Sequence, residues 1–259
     1  MAESKFTFSG IVIKVKGYSE ADWIFETITK YNTFYEIDLL RYMKFALKNR
    51  DGYIIDIGAN IGNHSLFFGL IMQKKVVCFE PNPPIFEILD ENMKTNHIQY
   101  KAYQIGLGAT RGTYVVDSKH KAADDNIGAA KLCMDEAGDI EVHTLDEMQK
   151  EFRYQNESLL AIKADIEGME AEMLKGAIGT LVKEKPDLFL EIANTALMDE
   201  IEEILSPIGY EKLYAYAGTP VWHFAHESKL PFSRQFNLYC YHFIMKIKEK
   251  IGKVWKFVR

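Results

Sequence analysis

Short apolar runs and amphipathic segments alternate along the chain from Asp51 onward. Tyr53-Ile54-Ile55-Asp56-Ile57 is a run closed by Gly58, and a helix is predicted from Ile61 to about Gln73. Val76-Val77-Cys78-Phe79 is a second run, closed by Glu80-Pro81-Asn82-Pro83; Ile85, Ile88, Leu89 and Met93 then recur at helical spacing. A third apolar segment covers Ile98 to Ile105. The grammar resumes at Leu159 to Asp165, followed by a helical stripe of Met173, Leu174, Ala177, Ile178 and Leu181. Asp187 to Ile192 reads as a further strand and Ala196 to Leu205 as a helix. Such alternation predicts an α/β fold: a mostly parallel sheet with helices on both faces.

The flanking regions read differently. Phe6, Phe8, Ile11, Ile13 and Val15 alternate with polar or small residues, the period of half-buried strands. Ser19 can cap a helix over Glu20 to Lys30 whose inner face is Ala21, Trp23, Ile24 and Ile28, and a second helix is predicted from about Phe34 to Lys48. Gly112 to Val116 and Ile140 to Thr144 look like two strands of an inserted hairpin around a Gly-, Ala- and Asp-containing loop. Tyr210 to Tyr216 and Asn237 to Met245 are both strand-like, suited to an antiparallel pair at the sheet edge.

Hydrophobic residues are 47% and charged residues 26% of the 259, which excludes a disordered chain, a collagen-like fibre and a disulfide scaffold. The formal net charge of −6 is a poor match for a duplex-binding protein, so no nucleic-acid partner is expected. Cys78, Cys133 and Cys240 form no metal or redox pair, which fits a reducing compartment. With no leader pattern and no apolar run of about 18 residues, a soluble cytoplasmic protein is expected.

Three motifs carry candidate chemistry. Asp56-Ile57-Gly58-Ala59-Asn60-Ile61-Gly62-Asn63-His64 joins a strand to a helix. There a ligand can approach the backbone at the carboxyl end of the sheet. Glu80 ends the next strand, about 24 residues after Asp56, where a carboxylate can accept from both hydroxyls of a ribose. NAD and S-adenosylmethionine sites share that device. Asn60 stands where a pyrophosphate loop needs glycine, and Asp56 would repel a pyrophosphate but attract an ammonium; both points favour S-adenosylmethionine. The third motif, Ile162-Lys163-Ala164-Asp165-Ile166-Glu167-Gly168-Met169-Glu170, places two carboxylates after a core strand, with Glu170 suited to a helix N-terminus.

Together with His143-Thr144-Leu145-Asp146-Glu147, Leu174-Lys175-Gly176-Ala177 and Pro186-Asp187-Leu188-Phe189-Leu190-Glu191, these strings resemble the FkbM-type family of S-adenosylmethionine-dependent methyltransferases from about Asp51 to Ile192. Ala164 departs from the larger apolar residue more usual there. The resemblance implies a Rossmann-like class I methyltransferase fold of about seven strands, one antiparallel, and O-methylation of a sugar, glycan or related small molecule. It implies donor binding by Asp56, Gly58, Asn60, Gly62 and Glu80, with Asn82, Gly106 and Leu107 toward the adenine. The chain is expected to divide into an N-terminal strand and helix extension (1–50), a methyltransferase domain (51–245) and a basic amphipathic tail (246–259).

A hydroxyl acceptor calls for a base, and Asp165, Glu167 and then His64 are the candidates, with His223 behind them. A divalent cation held by Asp165 and Glu191 is the alternative to a base. An NAD-dependent oxidoreductase and a non-catalytic Rossmann-like binding protein are the rival readings. In the tail, Lys246, Lys248, Lys250, Lys253, Lys256 and Arg259 face only Glu249, and Ile247, Ile251, Val254, Trp255 and Val258 share helical spacing. Such a segment either docks on its own domain or a second subunit, the reading Gly252 and the short stripe favour, or makes peripheral contact with an anionic membrane.

Overall fold

The computed structural model describes residues 1–116, 132–134, 138–154, 156–217 and 220–257. The glycine- and alanine-containing loop of the insert lies mostly outside the described residues, as do Val258 and Arg259 of the tail.

The chain opens with an antiparallel hairpin, β1 (Ala2–Phe8) and β2 (Ile11–Gly17). Ser9 and Gly10 both take the left-handed conformation its two-residue turn requires. Helix α1 (Trp23–Tyr31) starts later than expected, because the Asp22 carboxylate rather than Ser19 caps it, accepting from Phe25 N at 2.7 Å. Its buried residues are Phe25 and Ile28; Ala21 and Trp23, expected inside, are exposed. Helix α2 (Ile37–Ala46) buries Leu39, Leu40, Tyr42, Met43 and Ala46.

The central sheet contains β3 (Tyr53–Ile57), β4 (Val76–Phe79), β5 (Tyr100–Tyr103), β10 (Leu159–Ala164), β11 (Asp187–Glu191), β12 (Tyr210–Ala217) and β13 (Pro220–His226). Its order is β12-β13-β11-β10-β3-β4-β5. Pairings from β5 through β11 are parallel; β13 runs antiparallel to both β11 and β12. The expected seven-stranded sheet with one antiparallel strand is therefore present. β3, β4 and β10 are buried along their whole length, as expected for strands covered on both faces. Helices α3 (Asn63–Leu70) and α4 (Pro83–Thr95) follow β3 and β4.

The insert is larger than a hairpin. β7 (Gly112–Val116) and β9 (Ile140–His143) pair antiparallel, flanked by β8 (Leu132–Met134) and β6 (Gly106–Leu107) in a second sheet ordered β6-β9-β7-β8. Thr144 and Glu147 form a capping box on α5 (Leu145–Phe152). The helix expected after β10 is split into α6 (Glu170–Lys175) and α7 (Ile178–Glu184). At the break a Cβ on Gly176 would lie 2.0 Å from Gly108 O. Asp146 caps the second piece, accepting from Gly179 N at 2.8 Å and Thr180 N at 2.7 Å. Ile178 is only half-buried.

After α8 (Thr195–Leu205), the structure corrects the C-terminal reading. β12 pairs with β13, not with Asn237 to Met245, which belong to the long helix α9 (Phe232–Phe257). Aromatic and branched residues there suit a strand locally, but burial falls on Leu238 and His242, one helical turn apart. The helix runs without interruption through 246.

Asp187, fully buried at the start of β11, ties α9 to the sheet. It pairs with Arg50 at 3.0 Å, with Arg234 of α9 and with His223 Nε2 at 3.2 Å. Because Nε2–H donates to Asp187, Nδ1 of His223 accepts from Tyr42 OH at 2.6 Å. Burial, only partly offset by Asp187, holds the imidazole below its usual range, hence neutral. Asp187→Asn would leave two part-buried guanidinium groups without their counter-charge. We expect a loss of about 3–5 kcal/mol in denaturant unfolding at neutral pH, and a loss within about 0.5 kcal/mol would reduce the network to a bystander.

Candidate functional site

The parallel strands end on one edge, and a cleft opens above Gly58, Glu80, Asp165 and Glu191. Gly58 makes the sharp turn out of β3 at φ +71; a Cβ there would lie 2.0 Å from Asp165 O, so only glycine fits. N–H groups of Gly58 and Ala59 both donate to Phe79 O at 3.0 Å, binding the turn to β4. Asn60 takes the left-handed conformation (φ +50), and its N–H donates to Glu80 Oε2 at 2.9 Å. The other Glu80 oxygen accepts from Asn82 N at 3.0 Å. Glu80 thus joins two loops while facing the cleft, and burial, opposed by those N–H groups, pushes its carboxyl up to about 7.

Across the cleft, Asp165 and Glu191 end adjacent strands with their carboxyls hydrogen-bonded to each other. Asp165, its side chain 31% exposed, also meets the Lys163 ammonium at 3.3 Å. Burial alone would raise Asp165; Lys163 and the Glu191 hydrogen bond outweigh it and hold the group at about 2. Glu191 moves the opposite way, because the hydrogen bond to ionised Asp165, and then burial, keep its proton on. Lys163 is fully buried, and Asp165, Asp56 and Glu36 overcome the burial that would discharge it.

Other expected residues divide into those lining the cleft and those behind it. His64 lines it, its Nε2 3.1 Å from Glu36 Oε2. Glu167 lies at the exposed mouth in left-handed conformation (φ +54), its carboxyl raised by partial burial and by Asp165. Glu170 is buried and accepts from Ile166 N at 3.0 Å, closing the loop after β10. Asp56 lies beneath the floor, where it accepts from Ser65 Oγ at 2.6 Å and lies 3.9 Å from Lys163 Nζ. Gly62 starts α3 at φ +91 and packs on Leu89, and Asn82 meets Glu80 through its backbone. Gly106 and Leu107 are buried in β6 and do not line this cleft. Asp165 and Glu191, the alternative metal pair, do meet; among the described residues no group of three or more His, Cys, Asp or Glu is placed to hold a metal ion.

The sequence did not mark Lys163, Trp23, Ile24, Tyr35 or Glu36 as residues of this site. Lys163 had a signal: a lone cation inside the apolar run Leu159 to Ala164 needs a buried carboxylate. Trp23, Ile24 and Tyr35 come from the N-terminal segment and wall the cleft. Asn63 pins that segment, accepting from Tyr35 N at 2.9 Å and donating to Tyr35 O at 3.1 Å. Nothing in the local sequence marks this long-range clamp.

A methyltransferase FkbM domain model matches residues 56–212. The methyltransferase sdnD of Sordaria araneosa is 29% identical over 159 residues, covering 48% of this chain and 60% of that protein. The hexuronic acid methyltransferase AglP of Haloferax volcanii is 28% identical over 146 residues, covering 56% of this chain and 58% of that one. The aligned part therefore spans somewhat under two-thirds of each curated relative. A crystal structure of an FkbM methyltransferase from Methylobacillus flagellatus is similar at 22% identity and TM-score 0.45, covering 68% of this chain and 43% of that one. The glycine turn, the loop-bridging glutamate and the acidic strand ends all lie inside the matched span, which is more than half of the chain: the protein belongs to the FkbM methyltransferase family.

Proposed function

We propose that this chain is an S-adenosylmethionine-dependent O-methyltransferase acting on a hydroxyl of a sugar, glycan or related small molecule. The observation that carries the reading is Glu80. Each of its oxygens spends one lone pair on a loop N–H and keeps another for a ribose hydroxyl at the cleft wall. The Gly58 turn leaves the backbone bare where the donor would approach. Family membership supports the methyl donor, and the hexuronic acid named for one relative supports a sugar acceptor.

When bound, the donor supplies an electrophilic methyl on a sulfonium leaving group. The residues of this chain then have to align and desolvate the acceptor and take its proton. Asp165, kept ionised by Lys163, faces the cleft and would take the proton of the acceptor hydroxyl. Glu191 orients Asp165 by donating to it. His64, braced against Glu36, is a second polar contact for the acceptor. Trp23 and Tyr35 offer flat apolar faces to a sugar ring and exclude water.

Two results test this reading. Calorimetry should show S-adenosylmethionine or S-adenosylhomocysteine binding, weakened about ten- to a hundredfold in Glu80→Ala. Because the free Glu80 carboxyl titrates at about 7 and ribose hydroxyls donate to its ionised form, affinity should fall as pH drops below about 7. The limit is about tenfold per pH unit for a single proton, and Glu80→Gln should flatten the profile. NAD binding without binding of the methyl donor would overturn the assignment. Asp165→Asn should leave donor affinity within a fewfold and lower turnover on the acceptor about 10²–10⁴-fold; near-normal turnover would remove Asp165 from the chemistry.

A further inference from the structure

Helix α9 has one committed face. Leu238 and His242 are buried against the body, and Tyr241 stacks on Phe45 of α2 with ring centroids 4.4 Å apart. The opposite face is open. Phe232, Phe236, Tyr239 and Phe243 follow one another at i, i+4, i+7 and i+11 and are 81%, 55%, 69% and 58% exposed. Ile244 beside them is 51% exposed. Single exposed apolar residues are ordinary, but a row of four aromatic side chains along one helix marks an interaction surface.

Charge identifies the partner. The whole chain is −6, yet along α9 the aromatic row is followed by Lys246, Lys248, Lys250, Lys253 and Lys256, with Glu249 the one acid among them. Helix α2, against which α9 packs, exposes Arg41 and Lys44, and Lys48 just after it is exposed too; with Lys74 they line a groove around Phe45. Positive charge at one end of the aromatic row and beside it around Phe45 suits an anionic partner. A surface of anionic lipid satisfies both features, taking aromatic rings at the headgroup boundary and cations over the phosphates. Among the described residues no helix is long and apolar enough to cross a membrane.

We propose that α9 is a membrane-docking helix that seats the protein on anionic lipid through Phe232, Phe236, Tyr239 and Phe243, steered by its own lysines and by the basic edge of α2. The inference is independent of the proposed methyl transfer. The intact protein should sediment with vesicles of phosphatidylcholine and phosphatidylglycerol at low salt. Recovery should fall about tenfold or more on vesicles of phosphatidylcholine alone and at about 0.5 M salt, where exposed charges are screened. Phe236→Ser with Phe243→Ser, and separately Lys246→Glu with Lys248→Glu and Lys250→Glu, should each cut the partition about tenfold or more while leaving the thermal unfolding transition in place. Equal recovery of the wild type and the aromatic variant, or no recovery of either, overturns the proposal. So does a wild-type dimer in sedimentation velocity that the aromatic variant dissociates and that does not bind the vesicles.

Discussion

A buried ammonium sets the electrostatics of the cleft. Lys163 sits on central strand β10, covered on both sheet faces and directly across from Asp56 on β3. An unpaired charge in that position would cost several kcal/mol, so carboxylates must surround it. Asp56 and Asp165 are within 3.9 and 3.3 Å, and the field of Glu36 adds to theirs. The consequences spread outward. Asp56 is engaged below the floor, Asp165 stays ionised at the surface of the cleft, and the carboxyl beside it, Glu191, has to keep its proton. One cation thereby distributes charge over three neighbouring acids, and the two strand-end carboxyls become a donor–acceptor pair instead of two repelling anions.

The cleft is assembled from two kinds of structure. One side is backbone held by tight turns: Gly58, Ala59 and Asn60 are tied to β4 and to Glu80, and Glu80 in turn fixes the turn into α4. Such a wall has little freedom, because each N–H already has an assigned partner. Another wall is made of the side chains of Trp23, Ile24 and Tyr35, outside the span matched by the family model. A single amide, Asn63, pins it by a reciprocal pair of hydrogen bonds to Tyr35. Sequence change in this segment can reshape that wall of the cleft while the glycine turn and Glu80 stay as they are.

At the opposite end of β11, Asp187 gathers Arg50, Arg234 and His223, and through His223 reaches Tyr42. Here too a fully buried carboxylate is stable only because cations and a neutral imidazole enclose it; they, and chiefly His223, hold its carboxyl at about 2 against burial. The network joins α2, β13 and α9, so the long helix is anchored on its inner face and its aromatic row remains outside. His223 resembled a candidate for chemistry in the sequence, but its hydrogen bonds are all spent on this anchor.

Much of the fold was legible because its signals are local. Mostly apolar runs ended by glycine or by Glu-Pro mark buried parallel strands, and Gly58, Asn60 and Glu80 at the ends of β3 and β4 line the cleft. Asp146 and Gly176, quoted only as parts of recurring strings, gain a physical reason as the cap of α7 and the close approach to Gly108. Local signals failed where tertiary contacts outweigh propensity. Asn237 to Met245 looks like a strand and is a helix, because its two deeply buried positions, Leu238 and His242, are a helical turn apart. Trp23 looked like core and instead walls a cleft. What the sequence determined by itself was the alternation of strand and helix through β3, α3, β4 and α4 and again at β10 and β11, and the residue types at those strand ends. Only the tertiary structure decided which acid keeps a proton, which one lies beneath the floor and what the N-terminal segment covers, because those depend on distances between residues far apart in the chain and on the water that packing removes.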